Sequence, residues 1–139
     1  MSIPHLRAYE HWIPVIARVL FGFQFLMGAA FKIPGTASFF MEVGMTGAAG
    51  VPLPTIAVAL AFVLEACGGL ALIVGWHARE AALLLAAFAL ALACIFFHNF
   101  ADQMQMSEFI STIALMAGLL YVSVYGAQHA ALRKDTLPE

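Results

Sequence analysis

The sequence predicts an all-α integral membrane protein: a four-transmembrane-helix bundle with a short interfacial helix in its first loop. Three observations carry that prediction. Of the 139 residues, 63% are hydrophobic and 10% are charged, against about 25% charged in a soluble domain. The mean hydropathy is +0.94, and a chain this short cannot hide so much apolar surface in a water-facing fold, because small domains keep much of their surface exposed. The apolar residues also fall into four runs, each close to the roughly 20 residues a spanning helix needs. Four spans use most of the chain, so a single domain over residues 1–139 with short loops is expected.

The first span is predicted over residues 14–33, with Pro14 in the first turn and Pro34-Gly35 closing it. A Gly- and Pro-rich loop follows that is long for a connection. It holds Phe39, Phe40, Met41 and Met45, which predict a short helix lying in the membrane interface. The second span runs over residues 54–75, from Pro54 to Gly75, and Trp76-His77-Ala78-Arg79 turns tightly into a third over 80–97. Residues His98 to Ser107 form a polar loop containing Asn99, Asp102, Gln103 and Gln105. The fourth span covers 108–126, ending at Gly126 ahead of a polar tail with Arg133-Lys134-Asp135. Arg7 and Arg18 before an apolar run ending in Gly28-Ala29-Ala30 resemble a signal peptide, but Arg18 sits inside that run, so a retained first span is expected.

Basic residues are unevenly shared between the two sides. Arg7, Arg79, Arg133 and Lys134 fall on one side with Arg18 near it, whereas the other has Lys32 beside Glu42, Asp102 and Glu108. Because Lys and Arg concentrate in cytoplasmic loops, both termini are predicted to be cytoplasmic. The net charge of −2 and the lack of a basic run argue against nucleic acid as a partner; the partner this composition demands is the lipid bilayer. Cys67 and Cys94 form no CxxC and read as small residues packed between helices.

Ionisable groups at membrane depth cost about 2.5–3.5 kcal/mol each on insertion scales, so those present need a reason. Arg18 lies one turn into the first span, Glu65 near the middle of the second, and His98-Asn99 at the end of the third. Helical spacing sets each on a stripe expected to face inward: Arg18, Gly22, Phe25, Ala29 and Lys32; Ala57, Ala61, Glu65, Gly68 and Gly69; Ala87, Ala91, Cys94 and His98; and Ser111, Gly118 and Tyr125. Glu65 has two readings. It is either one half of an interhelical ion pair, with Arg18 the expected partner, or a proton-carrying or ligand-contacting carboxyl. Arg18 reads as a snorkelling anchor or that partner. His98 reads as a loop-ordering residue or as a quinone-carbonyl donor and proton relay. Glu65, His98, Asn99 and Arg18 are therefore the ligand or proton-handling candidates, with Lys32, Ser111 and Tyr125 secondary.

Several chemistries find no support in the pattern. A bis-histidine haem needs two ring nitrogens facing one another, but His77 and His98 belong to opposite membrane faces while His5, His11 and His129 lie outside the spans. The Glu-x-x-His pair of di-iron bundles is missing from the spans, as are GxGxxG, P-loop and nucleophile-elbow motifs. No metal site is expected.

Read in order, Arg18-Val19-Leu20-Phe21-Gly22, Gly28-Ala29-Ala30-Phe31-Lys32, Ala49-Gly50-Val51-Pro52, Leu64-Glu65-Ala66-Cys67-Gly68-Gly69 and Phe97-His98-Asn99-Phe100 resemble the DoxX family of small bacterial membrane proteins. The resemblance runs from about Val15 to Leu120. Many members carry a Lys-Asn pair at the start of the fourth span, where this chain reads Phe109-Ile110-Ser111-Thr112-Ile113-Ala114, and the family's following Gly-Gly is Ala117-Gly118. The resemblance implies a four-helix fold in the bacterial inner membrane. It also implies a subunit of a redox or quinone-linked system without its own metal or haem, working beside a soluble or membrane oxidoreductase subunit, with quinone as the associated cofactor. The rival expectations are a proton-coupled transporter acting as a homo-oligomer, with Glu65 as its carboxyl, and a structural membrane scaffold.

Overall fold

A computed structural model describes residues 11–125. These form five helices: α1 (Ile13–Phe31), α2 (Ala37–Ala48), α3 (Pro54–Val74), α4 (Ala78–Phe96) and α5 (Gln103–Tyr125). Among the described residues there is no strand. The helices α1, α3, α4 and α5 are long and apolar enough to cross a membrane, and α2 is the predicted short helix of the first loop. Gly126 and the charged and histidine positions His5, Arg7, His129, Arg133, Lys134 and Asp135 lie outside the described residues.

Local chemistry sets the helix ends. Thr36 accepts the Phe39 amide at 3.2 Å and starts α2. Gly75 ends α3 in the left-handed region, φ 73°, where a glycine meets no Cβ penalty, and the Gly75 and Trp76 amides both return to the Ala71 carbonyl. His77, also left-handed at φ 48°, then opens α4. The connection is thus tighter than the sequence predicts, and α4 begins at Ala78 rather than Glu80. At the other end α5 starts at Gln103, five residues before the expected Glu108. The cause is Asp102, whose carboxylate accepts the Met104 amide at 2.9 Å and whose carbonyl accepts that of Met106 at 3.0 Å.

The four long helices pack as a ring. The pairs α1/α3 and α4/α5 are the most extensive, α3 joins α4, and α5 closes lightly on α1, while α2 rests on α3. The α1/α3 pair is antiparallel and its backbones touch. A Cβ on Gly22 would stand 2.6 Å from the Gly69 carbonyl oxygen, and one on Gly69 would stand 2.8 Å from that of Gly22. In lipid, where helices gain nothing by hiding apolar surface from other apolar surface, such close van der Waals contact is what holds them together. Phe25, Leu72, Ala82, Leu85, Leu119 and Val122 fill the core. Leu20, Leu60 and Leu83 point outward, as a lipid-solvated bundle permits.

Two of the four predicted inward stripes hold. Arg18, Gly22, Phe25 and Ala29 are buried on α1, and Glu65, Gly68 and Gly69 on α3. On α4 the stripe is wrong: Ala87, Ala91, Cys94 and His98 are all exposed, and the buried face is Ala78, Ala82, Leu85, Ala86, Ala89 and Ala93. On α5 Ser111 and Tyr125 point outward, and Leu119 and Val122 are buried instead. Cys67 and Cys94 also face out rather than into the helix contacts. Alanine and leucine occupy nearly every angle of α4, so its composition does not set the phase of the buried face.

Candidate functional site

The register of α1 against α3 determines what Glu65 meets. Gly22 lies against Gly69 and Ile73, and Gly28 against Glu65. Arg18 is ten residues before Gly28 in the same helix, about 15 Å along the axis at 1.5 Å per residue. The ion-pair partner of Glu65 is therefore Lys32 and not the expected Arg18: Lys32 Nζ stands 3.1 Å from Glu65 Oε2. Arg18 is buried, 2% exposed, nearer the opposite end of the bundle.

Each member of the pair is held by its helix. Lys32 is the C-cap of α1, and its ammonium also donates to the Gly28 carbonyl at 3.3 Å, one of the oxygens a helix end leaves without an amide. Its charge complements the negative end of the α1 dipole. Glu65 comes from the middle of α3 and is 4% exposed. Gly28 makes room for it, because a Cβ there would lie 3.1 Å from Oε2. Three residues thus form one unit, with Gly28 supplying space and a carbonyl, and Lys32 and Glu65 supplying opposite charges.

Glu65 also lines a half-open cavity of about 170 Å³ to which all four long helices contribute walls. Gln24, Phe25 and Gly28 contribute from α1, Ala89 and Leu92 from α4, Thr112 and Leu115 from α5, and Phe97 closes it beyond the end of α4. The lining is largely apolar, with Glu65, Gln24 and Thr112 as its polar side chains. Thr112 Oγ1 donates to the Glu108 carbonyl at 2.8 Å, which fixes the hydroxyl against its own helix.

The remaining candidates lie elsewhere. His98 is exposed, with Nδ1 3.1 Å from the Ile95 carbonyl, and the Asn99 side chain accepts the Ala101 amide at 3.3 Å. Both are outside the lining of the Glu65 cavity and organise the α4–α5 loop. Ser111 donates to the Ser107 carbonyl at 2.9 Å on the outer face, and Tyr125 stacks against Tyr121 with ring centroids 4.4 Å apart. Among the described residues no group of three His, Cys, Asp or Glu side chains comes together as a metal site. Sequence reasoning missed Gln24 and Thr112. Gln24 carried a usable signal, since an amide inside an apolar span is costly unless it has a role. Thr112 carried none, because threonine back-bonds harmlessly in any spanning helix.

Comparison with known proteins fits this architecture. The sequence pattern of the DoxX family matches residues 13–99. Inner membrane protein YqjF of Escherichia coli (strain K12) is 31% identical over 112 residues, which cover 81% of this chain and 82% of that protein. No solved structure matches the chain significantly.

Proposed function

The chain belongs to the DoxX family, and on that premise we propose that it is an inner-membrane subunit of a redox or quinone-linked system, holding a quinone-sized ligand beside Glu65. One observation carries the reading: the buried Glu65, already paired with Lys32, is also a wall of the cavity between α1, α3, α4 and α5. A structural ion pair alone has no need of adjoining space. The cavity of about 170 Å³ is slightly larger than the roughly 150 Å³ apolar cavity that accepts a benzene ring, so one six-membered ring fits. Phe25, Leu92, Phe97 and Leu115 offer that ring apolar faces, and the Gln24 amide offers a donor at the edge. Glu65, with Lys32 paired behind it, gives the site one acid–base group. A quinone held there supplies two-electron chemistry in the plane of the membrane, and its electrons come from a soluble or membrane oxidoreductase subunit. The protein's own part is to bind and orient the ring and to set the Glu65 carboxylate beside it, with the proton of the pair held on Lys32.

The test is quinone content. Protein purified from membranes in mild detergent is extracted and its quinone measured against protein, for wild type, Glu65→Gln and Gln24→Leu. Stoichiometric quinone in wild type that falls several-fold in both variants is the expected result. Equal, trace amounts in all three proteins would overturn the reading. Proton-coupled transport by a homo-oligomer uses the same pair, and it is favoured instead if liposomes show proton-dependent uptake that Glu65→Gln abolishes.

A further inference from the structure

A second cavity, of about 130 Å³, lies between α2, α3 and α4. Thr46 of α2 and Val51 just beyond it cover one side, Ala57 and Ala61 form the α3 wall, and Ala91 and Phe96 belong to the α4 wall. Its lining is apolar apart from Thr46. The small side chains of Ala57, Ala61 and Ala91 are what leave it open. Leu92 lines this cavity and the Glu65 cavity alike. The two spaces are therefore neighbours across one half-buried leucine side chain. One has the Glu65 carboxylate in its wall, and the other is lined by hydrocarbon apart from Thr46.

From this we infer that the ligand is an amphipathic lipid with a small hydrogen-bonding ring and a flexible hydrocarbon tail, its ring beside Glu65 and the first part of its tail past Leu92 in the second cavity. The inference rests on the reading of the Glu65 cavity as a ligand site and adds the path of the ligand's tail and the residue that selects for it. A tail-less, water-soluble ring would leave the second cavity unused. A plain acyl lipid would fill the second cavity and bring no ring to the first. Leu92 is then a specificity-determining residue, acting by its bulk and not by chemistry.

The test uses a benzoquinone bearing a decyl tail with a photoactivatable diazirine at its end, added to the full chain in lipid nanodiscs, with crosslinked peptides identified by mass spectrometry. The expected result is labelling concentrated on residues 57–61 and 91–96, competed by excess tail-less benzoquinone and reduced several-fold by Leu92→Trp. Ala91→Leu narrows the same cavity from its lipid-exposed rim, away from the core, and gives the same reduction if Leu92→Trp does not fold. Labelling that tail-less benzoquinone competes but that spreads over the lipid faces of α1 and α5, unchanged in either variant, overturns the tail path and leaves the ring site standing. Labelling that tail-less benzoquinone does not compete overturns both readings.

Discussion

Lys32 and Glu65 are not equivalent halves of their pair, and the difference predicts how each variant behaves. Removing one partner of a buried ion pair destabilises a protein by about 3–5 kcal/mol, chiefly because the other charge is left buried and alone. Glu65 sits in mid-span with its side chain 5% exposed, whereas Lys32 is at the end of α1 with 14% of its side chain exposed. A stranded lysine there can extend its four-carbon stem toward the interface; a stranded mid-span carboxylate has no such exit. Lys32→Met is therefore expected to cost about 3 kcal/mol or more, and Glu65→Gln clearly less. Joining the two changes in one chain should recover most of the loss, because neither charge of the pair is then left buried without the other. Reversible unfolding of the three variants in mixed micelles measures this. Equal losses for the two single variants, adding up in the double, would mean that the pair is not coupled as its 3.1 Å separation implies.

Among the helices, the α1/α3 contact concentrates its sensitivity in two glycines. At Gly22 and Gly69 the atom a new Cβ would meet is a backbone carbonyl on the facing helix, which cannot rotate away. Overpacking of this kind costs about 1–3 kcal/mol, so Gly22→Ala and Gly69→Ala are each expected to lower thermal stability. Gly44 in α2 has no neighbour within 4 Å of the same position, so Gly44→Ala should be neutral or gain up to about 1 kcal/mol from helix propensity. Melting of the three variants in one detergent checks the contrast, and a loss at Gly44 equal to that at Gly22 would sink it. These elements also mark what was legible in advance. On α1 and α3 the inward face carries Arg18, Gly22, Glu65, Gly68 and Gly69, residue types that lipid-facing positions avoid, so the sequence alone set the phase. On α4 the inward Ala82, Ala86 and Ala93 differ in no chemical way from the outward Ala87 and Ala91. Only the positions of α3 and α5 decide between them. The site divided along the same line. Glu65 stood out as a mid-span carboxylate, but its partner depends on the register of α1 against α3, which puts Lys32 rather than Arg18 within reach.

At the scale of the whole molecule, the antiparallel ring puts Trp76, His77 and Arg79 at one end of the bundle and Lys32, α2 and the His98–Asp102 loop at the other. The geometry strengthens the charge argument for orientation. At the Lys32 end, the one lysine of the described residues is bound to Glu65 inside the bundle and is not free to act as a loop cation. At the other end Arg79 lies in the first turn of α4, its Nε donating to the Ser123 carbonyl at 2.9 Å and tying the start of α4 to the end of α5. Retention of basic residues on the cytoplasmic side then predicts that the Trp76–Arg79 end is cytoplasmic. Cysteine labelling tests this cleanly. Cys67 and Cys94 face outward from the bundle, so replacing both with alanine removes no core contact. In that background Trp76→Cys and Ala101→Cys each place one thiol at an exposed turn. A membrane-impermeant maleimide applied to intact spheroplasts is expected to modify the Ala101→Cys protein and to reach the Trp76→Cys protein only after the membrane is opened. The opposite pattern would invert the bundle, and with it the side of the membrane on which Lys32 and the His98–Asp102 loop lie.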